Sequence, residues 1–298
     1  MKTLIVGDIH GCIDELLDLV EAAGLRAGDR LISLGDIVNK GPAPEEVFDF
    51  LSRRPNTLVL KGNHEARHLD LPGDGAGAAP PERITRAQFT REGYGRFVAS
   101  AREFPLYEEL PEALVVHGYF EGGLALERQK PHVLMGRERG RERLVERGLW
   151  PWHEHYDYPK PIVVGHRAYS DDGKPMIVPG RIYAIDTKCC EGGALTGLLL
   201  PGFEIVTVPA RRDHWRVIQM AWGSFDPASG ERFALPRLRP DTAAPPSPAI
   251  PAPPAAATRE VGADLPPPRR DAVVGRRPWW ARGPLGWAWR AWHDQDRF

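Results

Sequence analysis

The sequence has little cysteine and no long apolar run. Only three of its 298 residues are cysteine, and Cys189 and Cys190 are adjacent while Cys12 stands alone. This arrangement excludes the disulfide framework of a small secreted domain and favours a reducing compartment. No stretch approaches the roughly 18 consecutive apolar residues of a membrane span, and the first residues lack a signal-peptide core. We therefore expect a cytoplasmic protein.

Net charge is also almost absent. The 39 Lys and Arg residues are balanced by 40 Asp and Glu residues, so the formal charge is −1, and 42% of the residues are hydrophobic. This composition argues against global disorder and against a basic nucleic-acid-binding surface over the whole chain. A chain of this length buries a sizeable core. We expect a globular enzyme or binding protein with no stable nucleic-acid partner.

Proline is concentrated at one end of the chain. Residues 225–298 hold fourteen of the thirty prolines, with eleven Arg, no Lys and eight acidic residues. A Pro/Ala-biased segment without apolar periodicity cannot offset its ordering entropy. We predict a folded domain at 1–224, a Pro/Ala-rich linker at 225–275 and an Arg/Trp-rich tail at 276–298. The Arg/Trp composition of the tail favours binding to a partner or membrane surface. Stacking on nucleic-acid bases, docking on its own domain and plain disorder are the open alternatives.

Short runs of Leu, Ile and Val alternate with helical patterns in the first sixty residues. Residues 3–6, 30–34 and 57–60 are typical of buried strands, and apolar spacings of three and four predict helices between them. This β-α-β-α-β order is typical of layered α/β proteins. A helix is predicted over 85–102, and further strands are predicted at 114–116, 162–164, 181–185, 195–200 and 204–208.

Five of the predicted strands end in polar loops that contain glycine. The loops are GDIHG at 7–11, GDIVNKG at 35–41, GNHE at 62–65, HG at 117–118 and GH at 165–166. Ligands of open α/β sheets bind at the carboxyl ends of strands, so we expect the loops to converge. They supply two Asp, two Asn and four His, a set that suits two divalent transition-metal ions better than calcium or structural zinc. Such a pair of ions activates water for phosphoryl displacement.

In this order the five loops resemble those of the calcineurin-like metallophosphoesterase superfamily. The resemblance spans residues 3 to about 208 and includes IDTKCCEGGALT at 185–196, which is similar to a late strand of its phosphoprotein-phosphatase-like and diadenosine-tetraphosphatase-like members. It implies an α/β fold, a two-sheet β-sandwich flanked by helices, and composition adds the expectation of a disordered C-terminal tail. It also implies two divalent ions, with manganese favoured over iron, zinc, nickel or cobalt.

The resemblance also implies a role for each loop residue. The expected metal ligands are Asp8 and His10 for the first ion, Asp36 as the bridge, and Asn63, His117 and His166 for the second ion. His64 and Asn39 form the expected catalytic pair, in which His64 protonates the leaving oxygen. Lys40, Arg67 and Arg167 are expected to bind substrate phosphate, with surface roles as the alternative for both arginines.

The second loop departs from the GDxVDRG motif of protein Ser/Thr phosphatases. Asn39 can accept a hydrogen bond from an imidazole but brings no charge, and Lys40 offers a point charge in place of the planar arginine fork. The form GDxVNKGP is more similar to the branch that contains symmetrical diadenosine tetraphosphatases. A nucleotide or phosphoanhydride substrate is therefore favoured over a phosphoprotein. A serine/threonine protein phosphatase and a non-catalytic adaptor acting through the Arg/Trp tail are the alternatives.

Overall fold

Two five-stranded sheets form the centre of the structure. The computed structural model describes residues 1–73, 75–170, 173–229 and 231–235, which all belong to a compact unit covering residues 1–252. Helices pack on the outer face of each sheet. The predicted α/β architecture, a two-sheet sandwich flanked by helices, is confirmed. The Arg/Trp-rich tail and most of the predicted linker lie outside the described residues.

The first sheet contains the three strands that begin the chain. Its members are β1 (Thr3–Val6), β2 (Arg30–Ser33), β3 (Thr57–Val59), β9 (Ala194–Leu200) and β10 (Glu204–Pro209), numbered in chain order. They lie in the order β10-β9-β1-β2-β3. β1, β2 and β3 are parallel, whereas β9 runs antiparallel to both β1 and β10. Parallel neighbours place their following loops at one edge.

The second sheet contains the later strands. Its members are β4 (Tyr107–Glu109), β5 (Leu114–Val116), β6 (Ile162–Val164), β7 (Met176–Val178) and β8 (Ile182–Ala184). They lie in the order β4-β5-β6-β8-β7. β5, β6 and β8 are parallel, and β4 and β7 form antiparallel edges. The two edge strands are missing from the sequence prediction because β4 contains two glutamates and so is no apolar run, and β7 lies between two prolines.

Eight α-helices lie within the described ranges. They are α1 (Ile13–Ala22), α2 (Pro44–Arg53), α3 (Asn63–Asp70), α4 (Pro80–Gln88), α5 (Arg91–Glu103), α6 (Pro131–Leu134), α7 (Glu138–Glu146) and α8 (His214–Trp222). The single helix predicted over 85–102 is wrong. Thr90 interrupts it as an N-cap whose hydroxyl accepts a hydrogen bond from the N–H of Gly93 at 2.9 Å. None of these helices is both long and apolar enough to serve as a membrane span.

Alternation along the strands divides the core into layers. In β1, Leu4 and Val6 pack with the helices on one face, while Ile5 packs between the sheets. In β5, Val115 joins Ile5 in that central layer, and its chain neighbours pack on the opposite face. Successive side chains of a strand point to opposite faces, which explains the pattern. The two sheets are thus joined by an apolar central layer that fixes their loops relative to each other.

The described chain continues to pack beyond the predicted domain end at residue 224. Phe233 is 4% exposed and packs with Ile84 of α4 and Ile218 of α8. Its N–H donates to the carbonyl of Ala87 at 2.8 Å. The preceding Arg232 pairs with Glu45 at 2.6 Å. Residues up to Leu235 therefore belong to the packed unit, and the predicted linker start at 225 falls inside it.

Candidate active site

The six predicted metal ligands converge where the parallel strands of both sheets end. Asp8 and His10 follow β1, Asp36 follows β2 and Asn63 follows β3, all in the first sheet. The other two residues, His117 and His166, follow β5 and β6 of the second sheet. Five of the six side chains are buried, and the sixth, that of His166, is half-buried.

Asp36 lies at the centre of this group. Its Oδ2 atom is 3.9 Å from Nε2 of His10, 3.9 Å from Nε2 of His64 and 3.5 Å from Nε2 of His117. Its Oδ1 atom accepts a hydrogen bond from the N–H of His64 at 3.0 Å. Two sets of candidate ligands, His10/Asp36/His64 and Asp36/His117/His166, each have their ligand atoms within 4.8 Å of one another. Asp36 is the member that both sets share.

Asn63 and Asp8 connect the two sheets at the site. The Asn63 Oδ1 atom lies 3.0 Å from Nε2 of His117 and 3.0 Å from Nδ1 of His166. The N–H of His166 donates to Oδ1 of Asp8 at 2.9 Å. Gly165 makes this approach possible, because a Cβ at that position would overlap Asp8 Oδ1. The sequence pattern predicts that these residues lie at one edge, and the contacts of Asn63 and Asp8 link the loops of the first sheet to those of the second.

Backbone carbonyls orient two of the imidazoles. Nδ1 of His10 lies 2.8 Å from the carbonyl of Val38, and Nδ1 of His117 lies 2.9 Å from the carbonyl of Leu34. A carbonyl only accepts, so each Nδ1 carries the proton. Each Nε2 then presents a lone pair toward Asp36. This is the outer-shell arrangement that usually orients a metal-binding histidine.

The electrostatics of the site also suit cations. Burial, with the nearby carboxylates Asp186 and Asp36, raises the pKa of Asp8 well above its usual range, and burial raises that of Asp36 to about 7. Burial lowers the pKa of His117 to about 4 and that of His10 well below 6.5. Neutral imidazoles around crowded carboxylates form a donor set that a divalent ion satisfies. Asp186, which follows β8, joins the group although the sequence argument did not select it.

Backbone strain is concentrated in the same loops. Eight non-glycine residues in the described part of the chain have positive φ, between 48° and 68°. Five of them are predicted site residues, namely His10, Asp36, Asn39, Lys40 and His166. Each such conformation costs on the order of 1 to 2 kcal/mol. Strain of this kind is typical of functional loops that tertiary contacts hold in place.

Glu65 supplies those contacts for the second loop. Its carboxylate accepts hydrogen bonds from the N–H groups of Asp36 at 2.8 Å, Ile37 at 2.9 Å and Gly62 at 2.9 Å. Burial, followed by the charge of Asp36, raises its pKa to about 7. The GNHE motif contains Glu65, but nothing local in the sequence shows that it ties α3 to a loop 28 residues away.

Asn39 and His64, the predicted catalytic pair, are in contact, but the hydrogen bond between them runs opposite to the expected direction. The Asn39 Nδ2 atom lies 2.6 Å from Nδ1 of His64, so the amide donates to the imidazole rather than accepting from it. Of the predicted phosphate ligands, Lys40 Nζ lies 3.6 Å from Glu191 Oε1 and Arg67 Nη1 lies 3.9 Å from a carboxylate oxygen of Glu82. The guanidinium carbon of Arg167 lies 5.9 Å from the centroid of the Trp150 ring.

Comparison with known proteins agrees with this geometry. Residues 1–195 match the family model described as calcineurin-like phosphoesterase. The chain belongs to the calcineurin-like phosphoesterase family. It is therefore a phosphoesterase and a hydrolase, as the loop motifs predict, and this family uses divalent metal ions.

Similar curated proteins include bis(5'-nucleosyl)-tetraphosphatases. The phosphoesterase is 30% identical over 247 residues to asymmetrical PrpE of Geobacillus thermodenitrificans, covering 70% of this chain and 95% of that one. It is 28% identical over 241 residues to PrpE of Halalkalibacterium halodurans, covering 71% and 95%. A crystal structure of a proposed diadenosine tetraphosphatase has the same fold, with a TM-score of 0.55 at 23% identity, covering 70% of this chain and 93% of that one.

Proposed function

We propose that this phosphoesterase hydrolyses dinucleoside polyphosphates in the cytoplasm, using two divalent metal ions with manganese as the favoured metal. Two observations support the substrate class. The chain is similar to nearly the whole length of relatives named bis(5'-nucleosyl)-tetraphosphatases. Its second loop also carries Asn39 and Lys40 in place of the Asp and Arg typical of protein phosphatases.

The single observation that carries the dinuclear centre is the position of Asp36 between two groups of ligands. Asp8 and His10 would hold one ion, and Asn63, His117 and His166 would hold the other, as the resemblance implies. When bound, the ions supply Lewis acidity toward phosphoryl oxygens and lower the pKa of a water molecule toward about 7. The protein contributes the carboxylates, the oriented imidazoles and the sheet edge at which these side chains meet.

The remaining predicted residues are assigned to the substrate. His64 is assigned to the leaving oxygen, and its Nε2 atom, 3.9 Å from Oδ2 of Asp36, supports that assignment. Lys40, Arg67 and Arg167 are the cations assigned to the phosphate chain. Burial lowers the pKa of His166, and the charges of these three cations lower it further, so all three act on the same site. A dinucleoside polyphosphate carries several charged phosphates in a row, which suits three such cations.

A paired assay tests the proposal. The metal-reconstituted protein would be compared on diadenosine tetraphosphate and a panel of phosphothreonine peptides by kcat/KM, with Asp36→Asn as the blank. Preference for the dinucleotide is expected, and activity confined to peptides would instead identify a protein phosphatase. Product analysis separates unequal cleavage to ATP and AMP from equal cleavage to two ADP. Purified protein that binds no metal and cleaves neither substrate would favour the adaptor alternative.

The tail at 276–298 is assigned to a partner or membrane surface, and no stable nucleic-acid partner is proposed. Arg and Trp side chains together suit the interfacial layer of a membrane. Co-sedimentation of the full chain with anionic vesicles would be compared with that of a chain ending at Leu235. Equal sedimentation of the two would count against membrane binding by the tail.

A further inference from the structure

Asn39 makes four hydrogen bonds inside the protein. The side chain is fully buried. Its Nδ2 atom lies 2.6 Å from Nδ1 of His64 and 3.1 Å from Oε1 of Glu82. Its Oδ1 atom lies 2.7 Å from the hydroxyl of Thr85 and 2.8 Å from Nε2 of His68. Two donors and two acceptor sites are the full capacity of an amide group.

The neighbours fix which end of the amide faces His64. Glu82 is a buried carboxylate and accepts, so it requires the NH2 end of Asn39. On the other side, Oδ1 of Asn39 can only accept, so Nε2–H of His68 donates to it at 2.8 Å, and Nδ1 of His68 accepts from the hydroxyl of Tyr94 at 2.9 Å. Burial lowers the pKa of His68 to about 3, so its ring carries a single proton. Reversing the amide would place its oxygen against the Glu82 carboxylate oxygen that now accepts from the NH2 group at 3.1 Å.

The fixed amide in turn determines the tautomer of His64. Because Asn39 donates to Nδ1, that nitrogen presents a lone pair and carries no proton. The single proton of the ring therefore sits on Nε2, the atom that faces Asp36 Oδ2 at 3.9 Å. In this state the imidazole donates a hydrogen bond into the site. It carries only this one proton, so it cannot give the proton away and remain neutral.

We propose that Glu82 is a positioning residue that, through Asn39, holds His64 with its proton on Nε2, and that this arrangement selects substrates whose leaving group needs no proton. This inference rests on the proposed function and names the chemical basis of its substrate class. In cleavage of a phosphoanhydride, water forms a P–O bond to the attacked phosphorus and loses a proton to solvent. The bridging P–O bond breaks, and the phosphate group, whose second pKa is roughly 6, leaves as a stable anion. Cleavage of a phosphothreonine ester releases an alkoxide, which must take a full proton that a neutral imidazole cannot readily give.

An aspartate at position 39 would act in the opposite way. It would accept from His64 Nδ1–H and so permit a ring protonated on both nitrogens, the state that can protonate an alkoxide. In this chain, however, Asn39→Asp alone would bring its carboxylate to the Glu82 carboxylate, now 3.1 Å from the amide nitrogen. The double change Asn39→Asp with Glu82→Gln removes that repulsion, because the introduced glutamine amide donates to the new carboxylate.

Kinetics on an aryl and an alkyl phosphate test the proposal independently of any nucleotide. The metal-reconstituted full chain would be assayed on p-nitrophenyl phosphate, whose leaving group needs no proton, and on a phosphothreonine peptide. We expect the wild-type kcat/KM ratio of aryl to alkyl ester to exceed about 10², the usual size of a proton-transfer contribution. The N39D/E82Q variant should lower this ratio by about tenfold or more through faster peptide cleavage, and N39D alone should be slower than the double variant on both.

Glu82→Gln is the conservative variant at this position, and Glu82→Ala is the variant that removes the acceptor. The glutamine introduced by E82Q still accepts from Asn39 through its carbonyl oxygen, so this variant should keep the wild-type ratio and kcat. E82A frees the amide to turn and should lower kcat on the aryl ester by about tenfold without a change in metal content. Glu92→Ala, which removes an exposed acid from the neighbouring α5, is the control and should match wild type.

The proposal is overturned if N39D/E82Q folds, binds metal and keeps the wild-type ratio. It is equally overturned if 15N spectra of zinc-loaded wild-type protein with labelled histidine, assigned with His64→Ala, show the proton of His64 on Nδ1. That measurement needs no variant at position 39 or 82 to fold. A high aryl-to-alkyl ratio without cleavage of diadenosine tetraphosphate would support the tautomer and reject the nucleotide function, so the two failures are distinct.

Discussion

At the scale of single residues, the site depends on side chains that satisfy several partners at once. Asp36 accepts a backbone N–H through one oxygen and faces three imidazole nitrogens through the other. Asn39 uses both ends of its amide. Both have positive φ, which their contacts must stabilise. Isosteric substitutions at such positions therefore change chemistry without changing shape.

Asp36→Asn should remove nearly all activity. The amide of the variant keeps an acceptor for the N–H of His64 but loses the charge that two metal ions would share. Activity on p-nitrophenyl phosphate and bound metal per chain would be measured together. Loss of at least one ion with kcat/KM lower by about 10³ or more is expected. Full metal content with wild-type activity would show that Asp36 does not bridge.

His64→Ala should separate turnover from metal binding. The side chain faces the leaving oxygen in our assignment, and its loss should lower kcat by about 10² to 10³, the usual effect of deleting one donor to a developing charge. Metal content, measured by elemental analysis, should stay at the wild-type level. Loss of both ions in this variant would instead make His64 a metal ligand, as its place beside His10 and Asp36 also permits.

At the scale of elements, buried polar contacts tie helices to the sheet edge. Glu65 at the start of α3 holds the second loop through backbone hydrogen bonds from Asp36 and Ile37, and it accepts a third from Gly62. On α1, Glu15 accepts from Nε2 of His214 at 2.7 Å and from the N–H of Arg211 at 3.0 Å. Glu15 and His214 are both buried, so this pair anchors α8 on α1.

The Glu15–His214 pair should make stability depend on pH. Burial alone would raise the pKa of Glu15, but the hydrogen bond and charge of His214 outweigh burial and lower it from 4.5. A lowered carboxyl pKa gives stability that is present above pH 4.5 and lost as pH falls through the lower folded-state value. Denaturant unfolding of wild type and Glu15→Gln would be compared from about pH 7 to about pH 3. The difference between the two free energies of unfolding should shrink over the acid range; a constant difference would refute the assignment.

His214→Ala is expected to lower the free energy of unfolding more than replacement of both Glu15 and His214. The single change leaves a buried carboxylate without its partner, which costs about 3 to 5 kcal/mol. The double change Glu15→Gln with His214→Gln replaces the carboxylate and the imidazole by amides that can still hydrogen bond. Free energies of unfolding at neutral pH measure both. A single variant as stable as wild type would mean that the pair does not hold α8.

At the scale of the whole molecule, the two sheets act as one frame for the site. Residues of both sheets meet in the apolar central layer, and the loops next to it share contacts such as Asp8 with His166. The packed unit also includes the segment after α8, where Phe233 covers Ile84 and Ile218. Because Ile84 lies in α4 two residues from Glu82, this segment supports the helix that carries the proposed positioning residue.

Truncation should distinguish Leu235 from Ser224 as the end of the domain. A chain ending at Leu235 keeps Phe233 and should match the full chain in Tm and in activity on p-nitrophenyl phosphate. A chain ending at Ser224 loses Phe233, and deletion of a buried Phe side chain alone costs about 3 to 5 kcal/mol. Thermal melting and metal content measure both. Equal Tm values for the two truncated chains would mean that the folded domain ends at residue 224.

The sequence by itself determined the family, the two-sheet α/β class and the strand ends where polar residues gather. It could do so because those signals are local: a buried strand, a glycine and an acidic or imidazole side chain stand next to one another, as in residues 3–11 and 30–41. The short edge strands β4 and β7 and the break between α4 and α5 carry weaker local signals, and the prediction missed them.

The tertiary structure alone decided how those side chains are oriented. The partners of Asn39 come from α3 and α4, with Glu82 lying 43 residues further along the chain, and no local pattern records that distance in space. The direction of a hydrogen bond depends on every donor and acceptor around it, so the sequence could pair Asn39 with His64 but not show which of them donates. The same reason applies to Glu65, Asp186 and Phe233, whose partners are brought to them only by the packing of the sheets and helices.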